Sequence, residues 1–259
     1  METGLAGKVV LVTGGAGGIG RDICRAFSNE GSKVIIHYNS SKNSAEELAS
    51  EIGGIAIHAD LRNENEAIEL VNEIVKKNGD IDICVANAGN YPTESKSFWE
   101  IDSSRWLETL NSNLMVAVNS AKAFLIHASE KKKGSIVFIA STAGIFGESG
   151  HADYATAKGA ISSGLLMTLK NDVSKLGIRV NAVAPGWTLT PKQSTRSMGE
   201  ELIQRATATM ALKKLAIPKD VASAVLMLSS DEISGHVSGQ VIQVAGGMEG
   251  RIMHCIRLM

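Results

Sequence analysis

Short apolar runs alternate with amphipathic stretches along this chain, and the period of each decides what it becomes. Lys8-Val-Val-Leu-Val-Thr13 is β-branched and has no polar alternation, the pattern of a strand buried on both faces. Runs of the same kind recur at Lys33 to His37, Ile55 to His58, Ile81 to Ala86, Ser135 to Ala140, Ile178 to Ala184 and Val241 to Val244. Between them lie the helices, predicted over Arg21 to Glu30, Ser44 to Ile52, Asn63 to Lys77, Ser103 to Lys131, Ala152 to Lys175, Gly199 to Met210 and Lys219 to Ser229. The stretches that begin at Ser103 and Ala152 each read as one long helix. Lys131-Lys132-Lys133 suits a helix C-terminus, where the macrodipole favours cations. Strands alternating with helices of this length predict an α/β architecture: one doubly wound domain over 1–259, a seven-stranded parallel sheet with helices on both faces. The irregular piece from Pro185 to Ser197 is long enough for a substrate lid, placed at about 185–212, and a C-terminal tail occupies 248–259.

Composition narrows the class of partner. Of 259 residues 44% are apolar and 20% charged, enough to bury a large core, and the net charge of −1 gives no basic field for nucleic acid or a membrane surface. Cys24, Cys84 and Cys255 are scattered and form no Cys-x-x-Cys pair, so metal binding is not expected and a reducing cytoplasm is. The start lacks a signal peptide's apolar core, and no run approaches the ~18 apolar residues of a membrane span. The expectation is a soluble cytoplasmic protein.

Candidate chemistry begins at the first strand. Thr13-Gly-Gly-Ala-Gly-Gly-Ile-Gly20 lies where that strand hands over to the first helix. In an open parallel sheet, ligands bind at the carboxyl ends of strands where the strand order reverses. Glycines there let the backbone approach a pyrophosphate, which the helix N-terminus stabilises. A tight turn without a ligand is the plain alternative. The second strand ends in His37-Tyr38-Asn39-Ser40-Ser41-Lys42, with no carboxylate to accept from a ribose 2′-hydroxyl or repel a 2′-phosphate, which favours NADP over NAD. Turn chemistry and capping alone would explain Asn-Ser-Ser equally. Asp60 ends the third strand, where it could bind the adenine edge or cap the next helix.

A second cluster spans Ser141 to Lys158. Tyr154 and Lys158 at i and i+4 share a helix face, so an ammonium can sit beside a phenol and favour the phenolate. That is a way to bring a proton donor and acceptor of unperturbed pKa about 10 toward neutral pH. On spacing alone, a surface pair is the simpler explanation.

Taken together these residues resemble the short-chain dehydrogenase/reductase family, with its Rossmann-type fold, over essentially the whole chain. Thr13-Gly14-x-x-x-Gly18-x-Gly20 is similar to its cofactor loop, Ala86-Asn87-Ala88-Gly89 to its Asn-Asn-Ala-Gly with alanine first, and Pro185-Gly186-Trp-Thr188-Leu-Thr190 to its Pro-Gly segment. Asn113, Ser141, Tyr154 and Lys158 match its catalytic residues. The resemblance implies that Tyr154 exchanges the proton with the carbonyl or alcohol and that Ser141 donates to the substrate oxygen. It further implies that Lys158 lowers the Tyr154 pKa and binds the nicotinamide ribose, and that Asn113 holds a water in a relay. The cofactor site it implies comprises Gly14, Gly17, Gly18, Ile19, Gly20, Tyr38, Asn39, Ser40, Ser41, Asp60, Leu61, Asn87, Ala88, Gly89, Tyr154, Lys158, Pro185, Gly186, Thr188 and Thr190.

The substrate is expected against Asn90, Tyr91, Ser141, Ile145, Phe146, Glu148, His151, Trp187 and Met198. Glu148 and His151 suit a polar substrate, or are simply exposed loop residues. Likeness is greatest to 3-oxoacyl-[acyl-carrier-protein] reductases, with sugar or polyol dehydrogenases as the alternative and a non-catalytic NADP-binding sensor as the reading from another class. An acyl carrier protein is a candidate partner through Lys132, Lys133 and Lys175 near the active-site mouth. The resemblance also implies a homotetramer, with the apolar tail, which carries Cys255, packed on a neighbour.

Overall fold

The computed structural model describes residues 2–190 and 200–248. Seven strands, β1 (Val9–Val12), β2 (Lys33–Tyr38), β3 (Ile55–His58), β4 (Ile83–Ala86), β5 (Gly134–Ile139), β6 (Ile178–Pro185) and β7 (Val241–Val244), form one sheet in the order β3-β2-β1-β4-β5-β6-β7. Every pairing is parallel.

β1 shows why the pattern produces this sheet. Val9 and Leu11 pack into one core cluster, Val10 and Val12 into the other. Side chains alternate across a strand, so one covered on both faces must be apolar at each position. The first cluster is closed by α3 (Glu64–Asn78) and α5 (Val116–Lys131) through Leu70, Ile74, Ala121 and Phe124. The second is closed by α1 (Gly18–Asn29), α2 (Lys42–Ile52) and the helix Pro218–Ser229 through Ile23, Phe27, Leu48, Val225 and Leu228. Each such Leu or Phe contributes roughly 1.5–3 kcal/mol by leaving water. The strand order reverses between β1 and β4, which opens a crevice at their carboxyl ends.

The two long helices are corrected by the structure. The first is α4 (Ser103–Leu110), a π-helical turn over Asn111–Met115, then α5. The second is α7 (Ala152–Gly159), a π-helical turn over Ala160–Leu165, then α8 (Leu166–Asp172), with a separate 3₁₀ turn at Ser174–Leu176. In the first, the Asn113 side-chain amide donates to the Thr109 carbonyl at 3.1 Å, the acceptor that a regular helix gives to the backbone N–H four residues on. A short helix, α6 (Ala143–Phe146), also stands in the stretch read as loop.

After β6 the chain stays tied down: Leu189 N–H donates to the Ala216 carbonyl at 2.8 Å, and Ala216 N–H to the Trp187 carbonyl at 3.1 Å. The helix predicted from Gly199 to Met210 is described as Glu200–Thr207. Met198 and the tail beyond Met248, with Cys255, lie outside the described residues. Among the described residues no helix is long and apolar enough to cross a membrane.

Candidate active site

The loop between β1 and α1 is gripped from both neighbouring strands. Gly14 has φ +61, and a Cβ there would lie 2.9 Å from the Ala88 Cα. Its N–H donates to His37 Nδ1 at 3.0 Å, while its carbonyl accepts from Asn87 Nδ2 at 3.1 Å and Gly17 N–H at 3.0 Å. Thr13 Oγ1 accepts from the Asn87 and Ala88 amides, both at 3.0 Å. At Gly20 a side chain would collide with the Gly14 carbonyl and Asn87. The first turn of α1, with Gly18, Ile19 and Gly20, has no side-chain cap and no acidic residue. Its N–H groups and the positive end of the helix dipole therefore face the loop, and this donor set fits a pyrophosphate.

The end of β6 arrives beside this turn. The Thr142 N–H donates to the Pro185 carbonyl and the Gly186 N–H to the Val244 carbonyl, both at 3.0 Å. Thr188 Oγ1 donates to the Gly186 carbonyl at 3.0 Å, and the Thr190 side chain lies where a Cβ on Gly18 would be, 2.7 Å away.

On the other side of the loop, Tyr38 sets its ring edge against His58, and Asn39, Ser40 and Ser41 are exposed beyond it. Asp60 is not the helix cap: Asn63 caps α3 by accepting from the Asn65 N–H at 3.0 Å. The Asp60 carboxylate is instead clasped by Arg62, Nη2 to Oδ2 at 2.6 Å and Nε to Oδ1 at 2.9 Å, which holds its carboxyl below the usual range. Leu61 is buried, and its carbonyl accepts from Asn119 at 2.9 Å.

The four catalytic candidates converge at the carboxyl ends of β4 and β5. Asn113 is fully buried, donating to the Asn90 carbonyl at 2.8 Å and accepting from its N–H at 3.2 Å. A Cβ on Gly89 would sit 2.8 Å from Asn113 Oδ1 and 3.4 Å from Lys158 Nζ, so glycine is what lets these groups meet. Lys158 is buried, donates to the Ile139 carbonyl at 2.9 Å and stands 5.7 Å from the Tyr154 ring centroid. The Ser141 hydroxyl accepts from the Ala143 N–H at 3.1 Å and is near enough to Tyr154 to pull its pKa down.

Burial pushes the Tyr154 phenol up to about 12; Ser141 pulls it down and the Glu148 charge adds to the rise. Lys158 Nζ is directed at the Ile139 carbonyl and lies over the Tyr154 ring, 5.7 Å from its centroid. Burial meanwhile pushes Lys158 down to about 8.

The substrate candidates split into two kinds. Tyr91 donates to Glu148 Oε1 at 2.7 Å, stacks on His151 with centroids 4.7 Å apart, and meets Tyr154 edge-on at 5.0 Å. His151 is 7% exposed and its Nε2 is buried without a hydrogen-bond partner. Glu148 and His151 are thus parts of a packed polar cluster beside Tyr154, and the exposed-loop alternative does not hold. Ile145 and Phe146 on α6, with Trp187, present partly exposed apolar surface, and Asn90 is exposed next to Tyr91. Lys132, Lys133 and Lys175 precede the amino ends of β5 and β6, at the opposite edge of the sheet from Ser141, so within one chain they do not border this crevice.

Sequence reasoning passed over two residues. His37 sits in an otherwise apolar buried strand, and a polar residue at such a position is a readable anomaly. Arg105 Nε donates to the fully buried Asp153 carboxylate at 2.9 Å, and Thr109 Oγ1 donates to it at 2.8 Å; this clamp between α4 and α7 has no local sequence signal.

A doubly wound parallel sheet with a glycine turn at its crossover is the frame of a dinucleotide-dependent enzyme. A family model described as enoyl-(acyl carrier protein) reductase matches residues 14–249. The chain is 34% identical over 249 residues to a 3-oxoacyl-[acyl-carrier-protein] reductase FabG of Thermotoga maritima, covering 94% of this chain and 98% of that protein. It is 31% identical over 246 residues to the protein of that name from Staphylococcus epidermidis, covering 93% and 98%. It is also 31% identical over 247 residues to an acetoacetyl-CoA reductase of an Acinetobacter species, covering 93% and 97%. The chain belongs to the short-chain dehydrogenase/reductase family. It is accordingly an NAD(P)-dependent oxidoreductase acting on CH–OH groups and the corresponding carbonyls.

Proposed function

We propose that the chain reduces the keto group of a 3-oxoacyl thioester with NADPH. The observation that carries this reading is the convergence of Ser141, Tyr154, Lys158 and Asn113 beside the glycine turn of this chain, supported by its likeness to proteins named for 3-oxoacyl and acetoacetyl substrates. The bound dinucleotide supplies the hydride. Tyr154 then gives its proton to the oxygen that gains charge, and Ser141 holds that oxygen by hydrogen bonding. Lys158 and Asn113 place a cation and a polar amide behind Tyr154, and Gly89 leaves room for both. The preference for NADP rests on Asn39, Ser40, Ser41 and Lys42, exposed donors at the end of β2 with no carboxylate among them.

A second reading, a polyol or hydroxyketone substrate, is favoured by the Tyr91 cluster. The Tyr91 proton goes to the Glu148 carboxylate, so that partly exposed carboxylate offers a substrate hydroxyl an acceptor to donate to.

We further infer a one-domain cytoplasmic enzyme; residues 191–199 of the expected lid at 185–212 lie outside the described residues. The partly exposed Leu107, Met115, Ile126 and Met167, on the helices flanking Asn113 and following Tyr154, support a homotetramer built on those helices. An acyl carrier protein would meet Lys132, Lys133 and Lys175 from a neighbouring copy.

The test follows NADPH and NADH oxidation with acetoacetyl-CoA, crotonyl-CoA and hydroxyacetone. Acetoacetyl-CoA is expected to be the best substrate, with NADPH. Preference for crotonyl-CoA or for NADH would overturn the keto or the cofactor assignment respectively, preference for hydroxyacetone would support the second reading, and binding without turnover would support the sensor.

A further inference from the structure

His37 is 2% exposed within β2, a strand whose other central positions are Val34, Ile35 and Ile36. Its ring makes two hydrogen bonds of 3.0 Å: Nδ1 with the Gly14 N–H, and Nε2 with the Ala59 carbonyl. The partners settle the tautomer. An amide N–H can only donate, so Nδ1 is the lone-pair nitrogen; a carbonyl can only accept, so Nε2 carries the proton. The backbone joins the same junction, with the Gly15 N–H donating to the His37 carbonyl at 3.0 Å. On the far side, Asn87 holds the Gly14 carbonyl. The Gly14 peptide is therefore pinned at its N–H from β2 and at its carbonyl from the end of β4, while the same imidazole pins Ala59 just before Asp60 and Leu61.

We propose that His37 is a positioning residue for the dinucleotide, its neutral ring tying the pyrophosphate turn at Gly14 to the Ala59 turn that leads to the adenosine side. The inference rests on the reading of this loop as the NADP site. Burial supports it, since the ring is pushed down to about 4 and stays neutral across the working range. A ring charged at both nitrogens would turn an N–H toward the Gly14 N–H and lose that bond. The alternative is a core histidine whose bonds serve the fold and leave the cofactor untouched.

Three variants separate the two. The Asn side-chain oxygen stands as many bonds from Cα as Nδ1 does, so His37→Asn can still receive the Gly14 N–H. The Gln side-chain nitrogen matches Nε2, so His37→Gln can still reach Ala59 but not Gly14. His37→Leu keeps neither. The dissociation constant of NADPH is measured by its fluorescence on binding, with kcat at saturating NADPH alongside. The expected result is a rise of at least tenfold in Kd for His37→Leu and His37→Gln, recovery to within threefold in His37→Asn, and kcat within threefold of wild type in all. Equal Kd values for His37→Asn and His37→Gln would overturn the proposal even if His37→Leu does not fold, as would wild-type Kd in a folded His37→Leu. Failure of the wild-type protein to bind either NADPH or NADH would instead sink the cofactor reading beneath it.

Discussion

Replacing Lys158 by methionine tests how the protein tolerates a buried ammonium. Lys158 is 4% exposed, with the Ile139 carbonyl as its hydrogen-bond partner, and burial lowers its pKa from the usual 10.5 to about 8. Between those values the unfolded chain binds the proton and the folded chain releases it. Stability therefore rises with pH there: the cost of burying the charge is complete below about pH 8 and is relieved as the pH approaches 10.5. At about 1.4 kcal/mol per pKa unit the full cost is about 3 kcal/mol, of which about 2 kcal/mol is recovered between pH 7 and pH 9.5. Methionine has no such titration. Its loss of the bond to Ile139 is the same at both pH values and drops out of the comparison. Urea unfolding of the cofactor-free proteins at pH 7 and pH 9.5 should show wild type gaining about 2 kcal/mol on Lys158→Met. A stability difference between the two proteins that does not move with pH would refute the claim that the lysine titrates inside the fold.

Three further outcomes follow from the same contacts. Tyr154→Phe should bind NADPH normally and lose at least about a hundredfold in kcat, the scale of a lost general acid; near-normal turnover would remove Tyr154 from the chemistry. Arg105→Met leaves the Asp153 carboxylate buried without its cation and should cost about 3–5 kcal/mol in urea unfolding; a change below about 1 kcal/mol would mean that the pair is not buried in solution. Glu148→Gln removes a charge that raises the Tyr154 pKa and should move the basic limb of the pH–rate profile to lower pH; an unmoved limb would show that the two do not interact.

The sheet was legible because its central strands are buried on both faces, which leaves continuous apolar runs, and the structure shifts the strand ends by two residues at most. The glycine turn was legible for a related reason: positive φ at Gly14 and close packing at Gly20 require glycine, so the need is written in the residue type. The π-helical turns were not. Apolar periodicity over a few turns cannot tell 3.6 residues from a locally wider turn, and the cause at Asn113 is a side-chain bond to Thr109 that spacing does not reveal. Nor was the direction of Lys158 legible. An i, i+4 spacing places two side chains on one face, but the Ile139 carbonyl that draws the ammonium away from the phenol belongs to a strand distant in sequence. The Tyr91–Glu148–His151 cluster was half legible: its members were named as substrate contacts, while their mutual bonding depends on two loops that only the fold brings together.

A phenol held near 12 has consequences for direction. At pH 7 about one Tyr154 in 10⁵ is phenolate, so a base able to take a proton from an alcohol is scarce. The protonated form is abundant, and an alkoxide forming on a reduced ketone is basic enough to take its proton from a phenol of this pKa. The site as built thus suits carbonyl reduction across neutral pH and handicaps alcohol oxidation until the pH is high. Initial rates in the two directions, each at saturating cofactor, should diverge accordingly: reduction flat between pH 6 and 8, oxidation climbing close to tenfold per pH unit from pH 7 up to at least pH 9. Oxidation that levels off below pH 9 would mean that the working phenol ionises far more readily than its burial allows. The Lys158 ammonium, 5.7 Å from the ring centroid, would then be the cation that lowers its pKa.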